Sequence, residues 1–108
     1  MIGGFILGGG AGNSSVVIRG IGPSLSASGI NNPLLDPMLE LHNANGAMID
    51  SNDDWRANQA LIEATGLQPS NDAESALLLS NPPLGAYTAI LRGKNNGTGV
   101  GVVEVYVF

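Results

Sequence analysis

Glycine and proline punctuate this sequence unusually often. Gly accounts for 16 of the 108 residues and Pro for six, a glycine share about twice the roughly 7% of ordinary domains. Between the interruptions lie short apolar runs, the pattern of strands joined by turns. The clearest run is Ser15-Val16-Val17-Ile18-Arg19-Gly20, whose three consecutive β-branched residues favour a pleated backbone over a helical one. Residues 38–43 alternate, with Leu39 and Leu41 on one face and Met38, Glu40 and His42 on the other. Asn45-Gly46 follows as a hairpin turn, and residues 47–50 form the returning strand. Pro82-Pro83-Leu84-Gly85 is a stop signal before a strand over 86–92. A turn at 94–98 then leads to a final strand over 99–108.

Further expectations are less regular. Residues 3–7 and 15–20 predict a first hairpin closed by the Gly/Asn/Ser stretch 8–15. Three prolines, Pro23, Pro33 and Pro37, predict a long irregular connection over 21–37. Asp53 or Asp54 can cap a helix starting near Trp55, with Ala60, Leu61 and Ala64 at helical spacing and Gly66 as its stop. A second short helix is expected over 72–79, with Asn71 as its cap. In the last strand Val100, Val102, Glu104, Tyr106 and Phe108 fall on one side and Val103, Val105 and Val107 on the other. Neither is plainly a solvent face, so this strand should be central or meet another surface. The sum is a mainly β chain, an antiparallel β-sandwich of jelly-roll or immunoglobulin-like kind with one or two short helices in a connection. Residues 1–108 make one domain, large enough for one core and too small for two.

Charge and composition exclude several functions. A net charge of −5, from four basic residues against nine acids, repels phosphate backbones, so nucleic acid is not an expected partner. No apolar stretch approaches the roughly 20 residues of a membrane-spanning helix. The opening residues 1–8 lack a basic region and are broken by glycines, so they do not read as a signal peptide, and export would use a segment outside this sequence. With no Cys there is no disulfide scaffold, thiolate zinc site or cysteine nucleophile.

The densest acidic cluster is Asp50-Ser51-Asn52-Asp53-Asp54. Its alternate oxygens at Asp50, Asn52 and Asp54 suit a hard cation, calcium being the natural candidate. An EF-hand loop does not fit, because Trp55 stands where that loop needs Gly and Leu61 where it needs Glu. The competing reading has Asp53 or Asp54 capping the helix and the other acids solvated. His42 is the one histidine and there is no G-x-S-x-G elbow. Glu40, Glu63, Glu74 and Glu104 have no spacing that selects a catalytic pair, so no enzyme activity is expected. Gly8-Gly9-Gly10-Ala11-Gly12 precedes a β-branched strand, not the helix a phosphate loop needs. Arg19, inside an apolar strand, should pair with Glu40 or Glu104. A stacking platform for sugars would rest on Trp55, Tyr87 and Tyr106. Asn13-Ser14-Ser15 and Asn96-Gly97-Thr98 match the glycosylation sequon.

Residues 2–9, then Val16-Val17-Ile18-Arg19-Gly20-Ile21-Gly22-Pro23-Ser24-Leu25, resemble the opening of a Gly-rich module repeated in very large secreted proteins of environmental bacteria. Asn52-Asp53-Asp54-Trp55-Arg56, residues 62–67, Glu74-Ser75-Ala76, Tyr87-Thr88-Ala89-Ile90 and residues 99–106 continue the likeness in the same order. The second half is also distantly similar to the bacterial pre-peptidase C-terminal domain. The resemblance implies an extracellular β-sandwich without assigned enzyme activity. In those modules further strand-forming residues precede the segment corresponding to Ile2, and the sequence starts without them, so the resemblance implies a sheet edge left open for strand addition by a neighbouring subunit.

Two functions are therefore expected. One is a structural subunit of the cell exterior that self-assembles into a filament or matrix, with Phe5, Leu7, Val103, Val105 and Val107 at the interface. The other is a calcium-dependent adhesive module that binds polysaccharide or a partner protein.

Overall fold

The computed structural model describes residues 2–7, 15–80, 82–83 and 85–107, with the backbone alone at positions 2 and 5–7. It contains seven strands: β1 (Ile2–Leu7), β2 (Ser15–Ile21), β3 (Pro37–His42), β4 (Met48–Asn52), β5 (Ser75–Ser80), β6 (Gly85–Gly93) and β7 (Val102–Val107), with one short helix, α1 (Gln59–Thr65). They form two antiparallel sheets, one ordered β1-β6-β3-β4 and the other β5-β2-β7. The sheets pack face to face, β4 on β5, β3 on both β2 and β5, and β6 on β7, which makes a four-on-three β-sandwich.

The core follows from alternation. Val16 and Ile18 of β2, Leu39 and Leu41 of β3, Leu77 of β5, and Tyr87, Ala89 and Leu91 of β6 form one cluster between the sheets, joined by Leu34. β2 breaks the alternation because it is buried on both faces: Val17, on its outer face, is as inaccessible as Val16 and Ile18. On the same outer side of the sheet, Trp55 and Ile62 pack on Ala76 of β5 with Leu78 alongside. Gly20 lies where a Cβ would meet Leu91 Cδ1 at 2.8 Å and Leu39 Cγ at 3.0 Å. A side chain at this position would have to displace those leucines, so the glycine lets the central strand lie close beneath them.

Several expectations are corrected. β1 and β2 do not form a hairpin: β1 pairs with β6 and β2 with β5 and β7, in different sheets. The connecting stretch 8–14, with its glycine run and its sequon, lies outside the described residues. Residues 72–79 are not a helix, since Ser75–Ser80 is a strand, β5. Asn71 acts there as a turn residue, its side-chain oxygen accepting the Ala73 N–H at 2.9 Å. The helix after Trp55 starts as a 3₁₀ turn over Trp55–Asn58 and only then becomes α1, with no side-chain cap from Asp54. A 3₁₀ start advances three residues per turn and so shifts the phase of the helix. As a result Ile62 is buried, while Leu61, one of the apolar positions at helical spacing, is 60% exposed and Ala60 and Ala64 are exposed as well. Gly66 ends the helix in the left-handed region, as expected. The final strand is not central, for β7 is an edge of its sheet.

Candidate functional site

The two ends of the sandwich differ. At one end, β4 and β5 are tied together by the chain that crosses from one sheet to the other. Asn52, the buried last residue of β4, accepts the Ala76 N–H at 3.0 Å and donates its amide to the Asp54 carbonyl at 3.1 Å. The Trp55 N–H reaches the Glu74 carbonyl at 2.9 Å. These bonds occupy outward-facing backbone groups at the start of β5 and tie it to β4.

They also fix the hydrogen-bonding phase of the three-stranded sheet. In an antiparallel ladder the backbone groups of successive residues point alternately to opposite neighbours. Ala76 faces away from β2, and its partner Arg19 therefore turns its own N–H and C=O to Glu104 of β7. Within β7, Glu104 and Tyr106 bond to β2, and Val103, Val105 and Val107 present their backbone groups to the outer edge. Among the described residues no strand pairs with that edge. The side chains of the same three valines lie on the inner face, opposite Gly20, Ile18 and Val16. Val103 is half-buried and packs on the core, whereas Val105 is 37% and Val107 53% exposed. β1, the edge of the facing sheet, reaches over this end: a Cβ on Gly3 would touch Val103 at 3.8 Å. Of the interface residues expected from sequence, Val105 and Val107 thus stand open and Val103 is partly core. Phe5 and Leu7 lie on β1 in register with Tyr87 and Gly85, and their side chains lie outside the described residues.

The outer face of β7 is held differently. Glu104 accepts from both Nε, at 2.8 Å, and Nη2 of Arg19, which also stacks 5.2 Å from the Tyr106 ring and donates to the Leu67 carbonyl at 3.3 Å. Pairing with Glu104 was one of the two partners expected for Arg19. The other, Glu40, is taken by Arg92 and His42.

The acidic turn is rearranged from its sequence pattern. Asp50 is exposed and accepts the Ser51 N–H, and both polar groups of Asn52 are spent on backbone. Asp50, Asn52 and Asp54 are thus not brought together as a ligand set. Asp54 joins Asp53 and Asp36 instead, with carboxylate oxygens all within 4.8 Å of one another. One oxygen each of Asp36 and Asp53 is buried without a hydrogen-bond partner. Lys94 donates to the other Asp53 oxygen at 2.5 Å, and its N–H to the Asp36 carbonyl at 2.9 Å. Burial, then the negative charge of Asp53, holds the Asp36 carboxyl above its ordinary range, and the bond to Asp53 holds the Lys94 ammonium above its own. Asp36 was invisible in sequence, being separated from the cluster by the whole β3–β4 hairpin.

The remaining candidates do not converge. His42 ends β3 with its two ring nitrogens against the Gly46 carbonyl and the Glu40 carboxylate, both at 3.2 Å. Glu74 is wholly buried, holding the Gly22–Ser24 backbone. Trp55 and Tyr87 are 3% and 5% exposed, so they form no sugar platform with Tyr106. Asn96 and Thr98 of the second sequon are exposed in the turn after β6. No family model matches the chain, and no curated protein matches it.

Proposed function

We propose that this protein is a non-enzymatic structural subunit of the cell exterior, associating with copies of itself through the open strand edges at the β1–β7 end to build a fibre or matrix. The observation that carries this reading is the outer edge of β7, where Val103, Val105 and Val107 offer unpaired backbone groups and Val105 and Val107 offer uncovered side chains. Exposed edges of this kind template strand addition unless they are charged, bulged or covered, and here no Lys or Pro interrupts the strand. A fibre of such copies needs a heterologous contact, in which this end meets a different surface of the next copy and so propagates. The extracellular setting rests on the resemblance to modules of secreted bacterial proteins.

Sedimentation velocity tests it. The wild-type chain should form large polydisperse species as concentration rises, and Val105→Lys/Val107→Lys should remain monomeric with little change in its urea midpoint, since both side chains are already exposed. Equal assembly by the variant would refute the reading.

A second reading, a calcium-dependent adhesive module, is favoured by the orphaned oxygens of Asp36 and Asp53. A cation there would displace Lys94 and gain the Asp54 carboxylate as a further oxygen ligand. Titration calorimetry with calcium chloride should then give a binding heat that Asp36→Asn removes, and a flat titration would sink this reading.

A further inference from the structure

We infer that the chain cuts itself at the Asp36–Pro37 peptide bond, the Asp36 side chain attacking its own carbonyl carbon and leaving residues 1–36 and 37–108 as two pieces. This activity does not depend on self-association.

Asp36-Pro37 is the one Asp-Pro pair in the sequence. Its bond is a tertiary amide whose nitrogen carries no hydrogen, and that nitrogen departs as a secondary amine. An aspartate side chain reaches its own carbonyl carbon by closing a five-membered ring, so nucleophile and electrophile sit in one residue. In an unfolded chain the carboxylate is solvated by water and the carbonyl has no fixed donor. The fold changes both conditions. Asp36 Oδ1 is buried without a hydrogen-bond partner, and carboxylate oxygens of Asp53 and Asp54 come within 4.8 Å of its own. The Lys94 ammonium donates to Asp53, not to Asp36. The Asp36 oxygen is therefore poorly compensated where it stands, and bonding to carbon removes its charge. The Asp36 carbonyl oxygen accepts the Lys94 N–H at 2.9 Å. That places a fixed donor on the atom that turns negative as the tetrahedral intermediate forms.

The leaving side is held as well. Pro37 is wholly buried at the start of β3, in register with Gly93, and its carbonyl accepts the Ser75 hydroxyl at 2.8 Å. Three segments thus meet at the bond: the connection before β3, the turn after β4 and the turn after β6.

The step balances with water as its only co-reactant. An Asp36 carboxylate oxygen bonds to the Asp36 carbonyl carbon, and the bond to Pro37 breaks with its electron pair on nitrogen. The nitrogen takes a proton from water, relayed through the neighbouring carboxyl groups, of which Asp54 is exposed. Water then opens the cyclic anhydride, leaving two carboxyl groups on Asp36 and a free amine on Pro37. The pieces stay together, because β2 in the first is paired on both sides, with β5 and β7 of the second, and Val16, Val17 and Ile18 are buried there. The cut is therefore seen only on denaturation.

The test incubates the chain folded in acetate buffer, its fold followed by circular dichroism, beside the same chain unfolded in urea. Both are read by denaturing gel and intact mass. Two fragments, one ending at Asp36 and one beginning at Pro37, should form about tenfold or more faster from the folded chain, since a single fixed donor on such an oxygen is worth about a hundredfold. Hydroxylamine should capture the anhydride as a hydroxamate on the piece ending at Asp36, a product that a contaminating protease does not make. Asp36→Asn should abolish the cut, and Asp36→Glu, whose ring would have six members, should slow it. An intact folded chain, or equal rates folded and unfolded, overturns the inference. So does a cut that survives Asp36→Asn and yields no hydroxamate.

Discussion

Glu74 has no accessible surface, yet its carboxylate is well satisfied: one oxygen accepts the Gly22 N–H at 2.9 Å, the Ser24 N–H at 3.0 Å and the Ser24 hydroxyl at 2.6 Å, and the other the Asn71 N–H at 3.3 Å. The acid anchors the start of the proline-bearing connection at Gly22, where a Cβ would lie 2.0 Å from the Leu34 carbonyl oxygen. Glu74→Ala should lower stability by about 2–4 kcal/mol, because it strands buried donors, with Glu74→Gln in between, both read from urea unfolding. Asp36 acts in the opposite sense. Its folded pKa lies above the ordinary 3.8, so its contribution to stability is present below that value and lost as pH rises through the raised one. At pH 7 it is a liability, one of three clustered carboxylates that Lys94 neutralises only in part. Asp36→Asn should therefore raise the urea midpoint at pH 7 in chelator, and the gain should vanish near pH 3.5. A constant difference at both pH values would contradict the assignment.

Among the elements, β7 makes the sharpest prediction. In a dilute monomer the amides of Glu104 and Tyr106, bonded to β2, should exchange slowly with deuterium. Those of Val103, Val105 and Val107 should exchange faster, and should slow on assembly if that edge becomes paired. Uniform protection along β7 before assembly would show that the edge is not free. The same strand shows how legibility divides. Its alternation and its apolar inner valines are plain in Val102–Val107, but an edge strand and a central strand can carry identical residues. β5 departs from its local preference for a related reason. Ser-Ala-Leu-Leu-Leu-Ser has no β-branched residue and follows an Asn that can cap a helix, so local preference leans away from the pleated form that pairing with β2 imposes. The exposure of Leu61 follows from a helix phase that the 3₁₀ turn at Trp55 has already shifted.

For the whole molecule, charge and apolar surface pull in opposite directions. Each copy carries −5, so approach of two copies is opposed by a screened repulsion, whereas the contact at the open end is apolar. Raising sodium chloride from about 20 mM to about 500 mM, where the Debye length falls from roughly 20 Å to a few ångströms, should lower the concentration at which assembly begins. Weaker assembly at high salt would place ion pairs, not valines and backbone, at the contact.

The sequence by itself determined the β class, the turn at Asn45-Gly46, the inward face of β3, the stop at Gly66 and the Arg19–Glu104 pair as one of two choices. These are local matters: side-chain alternation, turn chemistry and β-branching act within a few residues and can be read in order. Only the tertiary structure decided that β1 and β2 part to different sheets, that Asn52 ties β4 to β5, that Asp36 joins Asp53 and Asp54, and that β7 is left as an edge. Strand order is settled by which backbone donors and acceptors remain unpaired once every other strand is in place. That competition runs across the whole chain, so no window of sequence contains it.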